Sequence, residues 1–300
     1  MTKLQIKGVF PPMITPFKDN GDVDYEGFVS NIKKWNETNL AGYLVLGSNS
    51  ETVYLSEEEK LELIRLTVEN RKPGKHVMVG TGMESIKETI ALTNKAAKLG
   101  AESALILTPS YYGGAMTSEA LINYFTQVAD NCEIPILIYN VPKFTHLNIN
   151  ADAVEALSKH PNIIGMKDSS GNVPQLATFK RVAQEDFNIL VGTASAWYPA
   201  LTLGIKASIM ALANSNPREC TLVQELFESG NWEEARNVYQ RVFPINTAVT
   251  ATYGIAGLKH ACDVLGYTGG FVRSPLLPLA ENKKKEIEAI LEKALGETAK

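Results

Sequence analysis

The residue best suited to do chemistry is Lys167, which ends the apolar run of residues 163–166. Polar and glycine residues follow it at once, a pattern typical of a buried strand that opens into a loop. Burying an unpaired ammonium is costly, so burial favours the neutral amine. A neutral amine is a nucleophile that can form a Schiff base with a ketone. The alternative interpretation is a lysine at a strand end whose head group returns to water.

Further polar or small residues follow other apolar runs, where the carboxyl ends of barrel strands would bring them into one site. These residues are Ser48, Asn49, Tyr111, Tyr112, Tyr139, Gly192 and Thr193. An iminium on a lysine withdraws electrons from the adjacent carbon, which permits carbon–carbon cleavage or formation through an enamine. A phenol can move the proton, a serine can link two phenols, and small donors can hold a carboxylate. Core packing, interface contacts and turn formation are the alternative roles for the same residues.

The elements that must position these residues alternate regularly. Strand-like runs cover residues 8–15, 42–46, 76–80, 103–107, 135–139, 163–167, 188–192 and 207–211. Helical patterns fill the gaps, and Ser56 with Glu59 forms a capping box at the start of one of them. About eight strand–helix units predict an α/β fold, a (β/α)8 TIM barrel with additional C-terminal helices. A doubly wound sheet is the alternative fold.

The pattern is helical from residue 214 to the end, over residues 217–229, 232–243, 248–265 and 281–295. The eighth barrel helix needs only one of these stretches. We therefore predict a catalytic barrel over residues 1–230 and a C-terminal helical segment over residues 231–300. This segment is expected to pack on the barrel or on a neighbouring subunit.

Composition excludes several classes of function. The 300 residues are 45% hydrophobic and 21% charged, which fits a soluble globular protein. The net charge of −4 and the pI near 5.7 argue against a nucleic-acid partner. No apolar run is long enough for a membrane span, and no signal peptide pattern is present. Three distant cysteines without metal-ligand spacing favour a reducing, cytoplasmic location, and we expect neither a metal nor a cofactor.

Taken together, the motifs resemble those of the dihydrodipicolinate synthase / N-acetylneuraminate lyase family of pyruvate-handling class I aldolases. The matching stretches are Gly8-Val9-Phe10-Pro11-Pro12, Gly47-Ser48-Asn49-Ser50-Glu51, Thr108-Pro109-Ser110-Tyr111-Tyr112, Tyr139-Asn140-Val141-Pro142 and Gly165-Met166-Lys167-Asp168-Ser169. They occur in the family's order over nearly the whole chain. The resemblance implies that Lys167 forms a Schiff base with pyruvate and that Tyr139 transfers the proton above it.

The same resemblance implies roles for other residues. Ser48 stands in the family's proton relay, and Tyr112 stands where a tyrosine is donated across a subunit contact to the neighbouring site. Asn49 stands at a carboxylate-holding position. Ser169 and Gly192 fall where the family lines its substrate pocket. A homotetramer, assembled as a dimer of tight dimers, is the family's usual assembly and is expected here.

Three positions depart from the family pattern. Ser50 replaces a glycine before Glu51, so the loop backbone is expected to differ because serine adopts φ > 0 less readily. Phe144 stands where the synthases carry an arginine that holds the carboxylate of aspartate semialdehyde. His146 replaces a nearby glycine. The loss of the arginine argues against synthase activity.

Within the family, the chain most resembles 4-hydroxy-2-oxoglutarate aldolase, which yields pyruvate and glyoxylate. The stretches that carry this resemblance are Gly47-Ser48-Asn49, residues 160–169, Asn246-Thr247-Ala248-Val249-Thr250, residues 254–259 and residues 266–270. N-acetylneuraminate lyase, 2-keto-3-deoxy-sugar-acid aldolase and 4-hydroxy-tetrahydrodipicolinate synthase are the alternatives. A barrel that binds a keto acid without turnover is the alternative from another class.

Overall fold

The computed structural model describes residues 2–296, and its eight strands form one sheet. The strands are β1 (Gly8–Phe10), β2 (Gly42–Val45), β3 (His76–Gly80), β4 (Ser103–Leu107), β5 (Ile136–Asn140), β6 (Ile163–Asp168), β7 (Asn188–Val191) and β8 (Ala207–Ile209). Their order is β1-β8-β7-β6-β5-β4-β3-β2, and a parallel bridge between Pro12 and Leu44 joins the chain after β1 to β2. This is the predicted (β/α)8 barrel fold with additional C-terminal helices.

Helices follow the strands in the order that the barrel requires. They are α1 (Tyr25–Asn36), α2 (Glu57–Asn70), α3 (Ile86–Lys98), α4 (Ser118–Asn131), α5 (Pro142–Thr145), α6 (Ala151–Ser158), α7 (Val173–Val182), α8 (Trp197–Thr202), α9 (Pro217–Glu228), α10 (Trp232–Thr247), α11 (Gly254–Val264) and α12 (Glu281–Leu295). Local sequence sets several of their ends. The predicted capping box is present, because Ser56 and Glu59 exchange backbone and side-chain hydrogen bonds at the start of α2.

Several predicted bounds differ from the observed ones by a few residues, and two of the differences have a clear local cause. The first strand ends at Phe10 rather than at residue 15, because Pro11 and Pro12 have no N–H group to donate to a ladder. The helix predicted over residues 248–265 is divided. Residues Ala248–Thr252 form a π-helical turn, and α11 begins anew at Gly254, whose φ of 57° is readily adopted only by glycine.

By its internal contacts the chain divides into two units, and the first comprises residues 1–8 and 76–209. Strands β3 to β8 of this unit pair in parallel. Strands β6 and β7 approach each other closely at Gly165. A Cβ atom on Gly165 would lie 2.5 Å from the backbone oxygen of Asn188, so no side chain fits between the strands there.

The second unit comprises residues 9–75 and 210–300. Large aromatic side chains form much of its core. The rings of Trp35 and Tyr267 stack at 5.8 Å between centroids, and the indole N–H of Trp35 donates to the backbone oxygen of Asn214 at 3.0 Å. Partial burial of the Tyr267 side chain raises its pKa to about 12. The division at residue 230 that the sequence suggested stays a prediction.

No helix within residues 2–296 is long and apolar enough to cross a lipid bilayer. The same range contains no group of three or more His, Cys, Asp and Glu side chains placed to hold a metal ion.

The close approach at Gly165 yields a stability prediction. Gly165→Ala is expected to lower the free energy of unfolding by about 1–3 kcal/mol, because the added methyl group overpacks the β6–β7 contact. Gly114→Ala is the matched control, since no atom lies within 4 Å of a Cβ there. Equilibrium denaturation in urea measures both changes. Equal stability of the two variants would contradict the packing argument.

Candidate active site

The sequence of β6 places one lysine at the end of a fully buried strand. Every residue from Ile163 to Asp168 is buried, and Lys167 is only 3% exposed. The β-branched Ile163 and Ile164 favour the extended backbone, and Gly165 allows the close approach to β7. The sequence prediction of a buried strand-end lysine is therefore confirmed.

The register between β5 and β6 brings Tyr139 beside Lys167. The two residues are direct partners in the parallel ladder, and such partners point to the same face of a sheet. The Lys167 Nζ atom lies 4.2 Å from the centroid of the Tyr139 ring, and Tyr139 is 7% exposed. Within residues 2–296, no carboxylate forms an ion pair with Lys167. A buried amine next to a phenol is an arrangement that suits Schiff-base chemistry, because the phenol can transfer a proton.

The opposite face of the same two strands holds a buried carboxylate that sequence reasoning did not single out. Asp168 is 1% exposed, and its side chain accepts hydrogen bonds from Asn140 Nδ2 at 2.7 Å, Ser170 Oγ at 2.5 Å and Gln175 Nε2 at 3.2 Å. These bonds tie the end of β6 to β5 and to α7. They fix the backbone that carries Lys167 without placing a negative charge on the lysine's own face. The signal in the sequence was that Asn140 and Asp168 each follow a candidate site residue.

Ser169 and Gly192, predicted to line the pocket, lie against each other. Backbone N–H groups of both residues are bound to strand ends, because Ser169 donates to Asn140 at 2.9 Å and Gly192 donates to Asp168 at 2.7 Å. A Cβ on Gly192 would lie 1.9 Å from Ser169 Oγ. Glycine is therefore required at position 192 by this contact.

Phe144 lies in the short helix α5, two residues beyond Pro142, and is 55% exposed. The Lys143 Nζ atom lies 5.7 Å from the centroid of its ring. His146 ends the helix in the left-handed region with a φ of 56°. The segment after β5 therefore presents an exposed aromatic ring with the Lys143 ammonium over it.

The loop after β4 carries Tyr111 and Tyr112. Their rings meet edge to face at 5.0 Å, and they are 80% and 73% exposed. The loop backbone is nevertheless fixed, because the Glu84 carboxylate accepts hydrogen bonds from the N–H groups of Ser110 and Tyr111, each at 3.0 Å. The loop therefore presents two exposed phenols from a hydrogen-bonded backbone.

Ser48 and Asn49 belong to the second unit, where they form a short 3-10 turn with Ser50 after β2. Both residues are partly exposed. Ser50 is buried, and its hydroxyl donates to the backbone oxygen of Met13 at 2.5 Å. After β2, positive φ angles occur at Leu46, at 63°, and at Glu51, at 55°, and not at Ser50. Serine therefore fits its position without backbone strain.

Comparison with known proteins places the chain in a family. The model of the dihydrodipicolinate synthetase family matches residues 5–294. The 4-hydroxy-tetrahydrodipicolinate synthase of Archaeoglobus fulgidus is 34% identical over 285 residues, which cover 95% of this chain and 97% of that protein. The structure of the 4-hydroxy-tetrahydrodipicolinate synthase from Methylacidiphilum fumariolicum matches with a TM-score of 0.91 and 28% identity, covering 97% and 96% of the two chains.

A prophage protein of the dihydrodipicolinic acid synthase family from E. coli K12, whose crystal structure holds pyruvate, matches with a TM-score of 0.91 and 26% identity over 97% and 99% of the two chains. These relatives bear synthase or synthase-family names, so the closer resemblance to 4-hydroxy-2-oxoglutarate aldolase is not confirmed. The broader prediction of a lysine Schiff-base lyase stands. On the extent of these matches, the chain belongs to the dihydrodipicolinate synthetase family.

Proposed function

We propose that this enzyme is a pyruvate-handling class I aldolase that uses Lys167 as its Schiff-base residue. The observation that carries the proposal is the buried Lys167 Nζ atom 4.2 Å from the centroid of the Tyr139 ring. Pyruvate in the crystal structure of the E. coli relative supports the choice of keto acid. A binding protein without turnover would have no need for this pairing of amine and phenol.

In the cleavage direction, Lys167 Nζ attacks the C2 carbonyl of a 4-hydroxy-2-oxo acid, and water leaves to give an iminium. The C3–C4 bond then breaks, and its electrons pass into the iminium to form an enamine. The C4 hydroxyl proton leaves through Tyr139, and C4 departs as an aldehyde. The enamine takes a proton at C3, and water releases pyruvate and restores the amine.

The remaining candidate residues complete this scheme. Ser48 relays the proton between Tyr139 and Tyr112, and the Ser48–Asn49 turn holds the carboxylate of pyruvate. Tyr112 comes from a second subunit in the proposed homotetramer, and its 73% exposure leaves the ring available for that contact. Ser169 and Gly192 contact the substrate beyond C3.

The preferred substrate is a small 4-hydroxy-2-oxo acid such as 4-hydroxy-2-oxoglutarate, which yields pyruvate and glyoxylate. Phe144 supports this choice, because it has no donor for the carboxylate of aspartate semialdehyde. A bidentate arginine would match both oxygens of that carboxylate. The carboxylate of glyoxylate is attached directly to the reacting carbon, so it does not extend as far from Lys167.

Synthase activity is the second candidate, and the names of the relatives favour it. In that reaction the pyruvate enamine adds to aspartate semialdehyde. The Lys143 side chain, which lies over the Phe144 ring, is the cation that would then replace the arginine. Cleavage of N-acetylneuraminate or of 2-keto-3-deoxy-sugar acids uses the same lysine and phenol on longer substrates.

Tyr139→Phe separates proton transfer from packing. It is expected to lower kcat by about 10²–10⁴-fold, because the ring remains but the acid–base group is lost. Tyr124→Phe is the matched control, since Tyr124 is also a buried phenol, hydrogen-bonded to Met83 and Thr89 away from β5 and β6. Steady-state pyruvate release measures both variants. Equal turnover in Tyr139→Phe and the unchanged enzyme would assign Tyr139 to packing.

The two candidate reactions are distinguished by a substrate panel on the unchanged enzyme and on Phe144→Arg. We expect cleavage of 4-hydroxy-2-oxoglutarate to exceed condensation with aspartate semialdehyde in kcat/KM. Phe144→Arg should raise condensation by roughly 5- to 30-fold, or about 1–2 kcal/mol of transition-state binding. Phe144→Leu, which adds no charge, is the control. Efficient condensation by the unchanged enzyme, unimproved by the arginine, would establish the synthase instead.

A further inference from the structure

The second unit contains a buried ion pair outside the residues assigned to the reaction. Lys259 Nζ, on α11, lies 2.5 Å from Glu51 Oε1, and the two side chains are 1% and 0% exposed. Lys259 also donates to the backbone oxygen of Phe271 and lies 4.5 Å from the centroid of the Phe17 ring. Burial lowers the pKa of Lys259, and the Glu51 carboxylate opposes that shift.

Arg273 extends this pair into a network. Its backbone N–H donates to Glu51 Oε2 at 2.8 Å, and its guanidinium binds both oxygens of Glu59 at 2.6 and 2.7 Å. The guanidinium also donates to the backbone oxygen of Tyr54 at 2.8 Å. The hydrogen bonds between Arg273 and Glu59 raise the pKa of the arginine and lower the pKa of the glutamate. The residues from Glu51 to Glu59 are thus held by charges from the C-terminal part of the chain.

Stability alone is a weak reason for such a network. The cost of removing two charges from water often cancels their attraction, and well-packed apolar pairs are commonly as stable. What a buried ion pair does provide is fixed geometry. The geometry fixed here is that of Glu51, whose backbone is in the left-handed region that non-glycine residues seldom adopt.

The Ser48–Asn49 turn is directly attached to Glu51. The Glu51 N–H donates to the Ser48 oxygen at 3.2 Å, and the Ser50 N–H donates to the Gly47 oxygen at 3.0 Å. A change in the backbone angles of Glu51 would therefore rotate the turn. The turn carries small polar donors that are partly exposed, whereas the Lys259 side chain that pairs with Glu51 is only 1% exposed.

We propose that Glu51, Lys259 and Arg273 are positioning residues for the Ser48–Asn49 turn, so that the C-terminal segment sets how tightly the enzyme binds the carboxylate of pyruvate. This inference rests on the proposed function, in which that turn holds the carboxylate. None of the three residues touches substrate in this scheme. Each acts through the backbone of the turn.

The test measures the pyruvate concentration that half-saturates borohydride-trapped adduct formation. Lys259→Met is expected to raise it by about tenfold or more, since displacement of binding groups by about 1 Å is costly. Lys283→Met, which removes an exposed ion pair on α12, is the control and should leave it unchanged. Circular dichroism and thermal unfolding verify that each variant is folded.

A double-mutant cycle separates positioning from a general loss of stability. In an Asn49→Ala/Ser48→Ala background, Lys259→Met should change the half-saturating concentration by less than about twofold, because the side-chain donors that the turn positions are gone. An unchanged concentration in the folded Lys259→Met single variant, or a full additive effect in the cycle, would overturn the inference.

Two milder changes keep the test decisive if Lys259→Met does not fold. The double variant Glu51→Gln/Lys259→Met removes both charges of the buried pair. Arg273→Lys keeps the positive charge but loses the bidentate hydrogen bonds to Glu59. Each should raise the half-saturating concentration, and a folded variant of either kind with unchanged pyruvate binding overturns the inference. Absence of adduct in the unchanged enzyme would instead overturn the proposed function itself.

Discussion

The candidate site depends on the register between β5 and β6. Because Tyr139 is paired with Lys167, Asn140 must be paired with Asp168 on the other face. One face then receives the amine and the phenol, and the other receives the buried carboxylate with its three donors. A shift of one residue would exchange the faces and place the carboxylate beside the phenol. The alignment of these two strands therefore determines both the amine–phenol pair and the position of the hydrogen-bonded carboxylate.

Two lysines among the described residues are buried, and their surroundings contrast. Each lies over an aromatic ring, at 4.2 Å for Lys167 and 4.5 Å for Lys259. Burial lowers the pKa of Lys259, and the Glu51 carboxylate at 2.5 Å opposes that shift and fixes the geometry of the pair. Lys167 forms no ion pair within residues 2–296, which leaves its amine available for a carbonyl. The same residue type thus serves structure in one place and is available for chemistry in the other.

Much of the fold could be predicted from the sequence. The apolar runs of β3 and β4 and the C-terminal helix α12 have the predicted bounds, because their periodicity and flanking residues are local signals. The network of Glu51, Lys259 and Arg273 could not be predicted, since its members lie far apart in the chain and meet only through tertiary packing. The role of Asp168 was missed for a related reason. Its partners become visible only when the strand register is known.

The central claim is that Lys167 is the residue that captures pyruvate. Incubation of the unchanged enzyme with pyruvate and borohydride, followed by peptide mass spectrometry, tests it directly. We expect one reduced pyruvate per chain, located on Lys167 and absent from Lys259, which pairs with Glu51. Modification of another lysine, or no modification at saturating pyruvate, would show that Lys167 is not the residue that captures pyruvate.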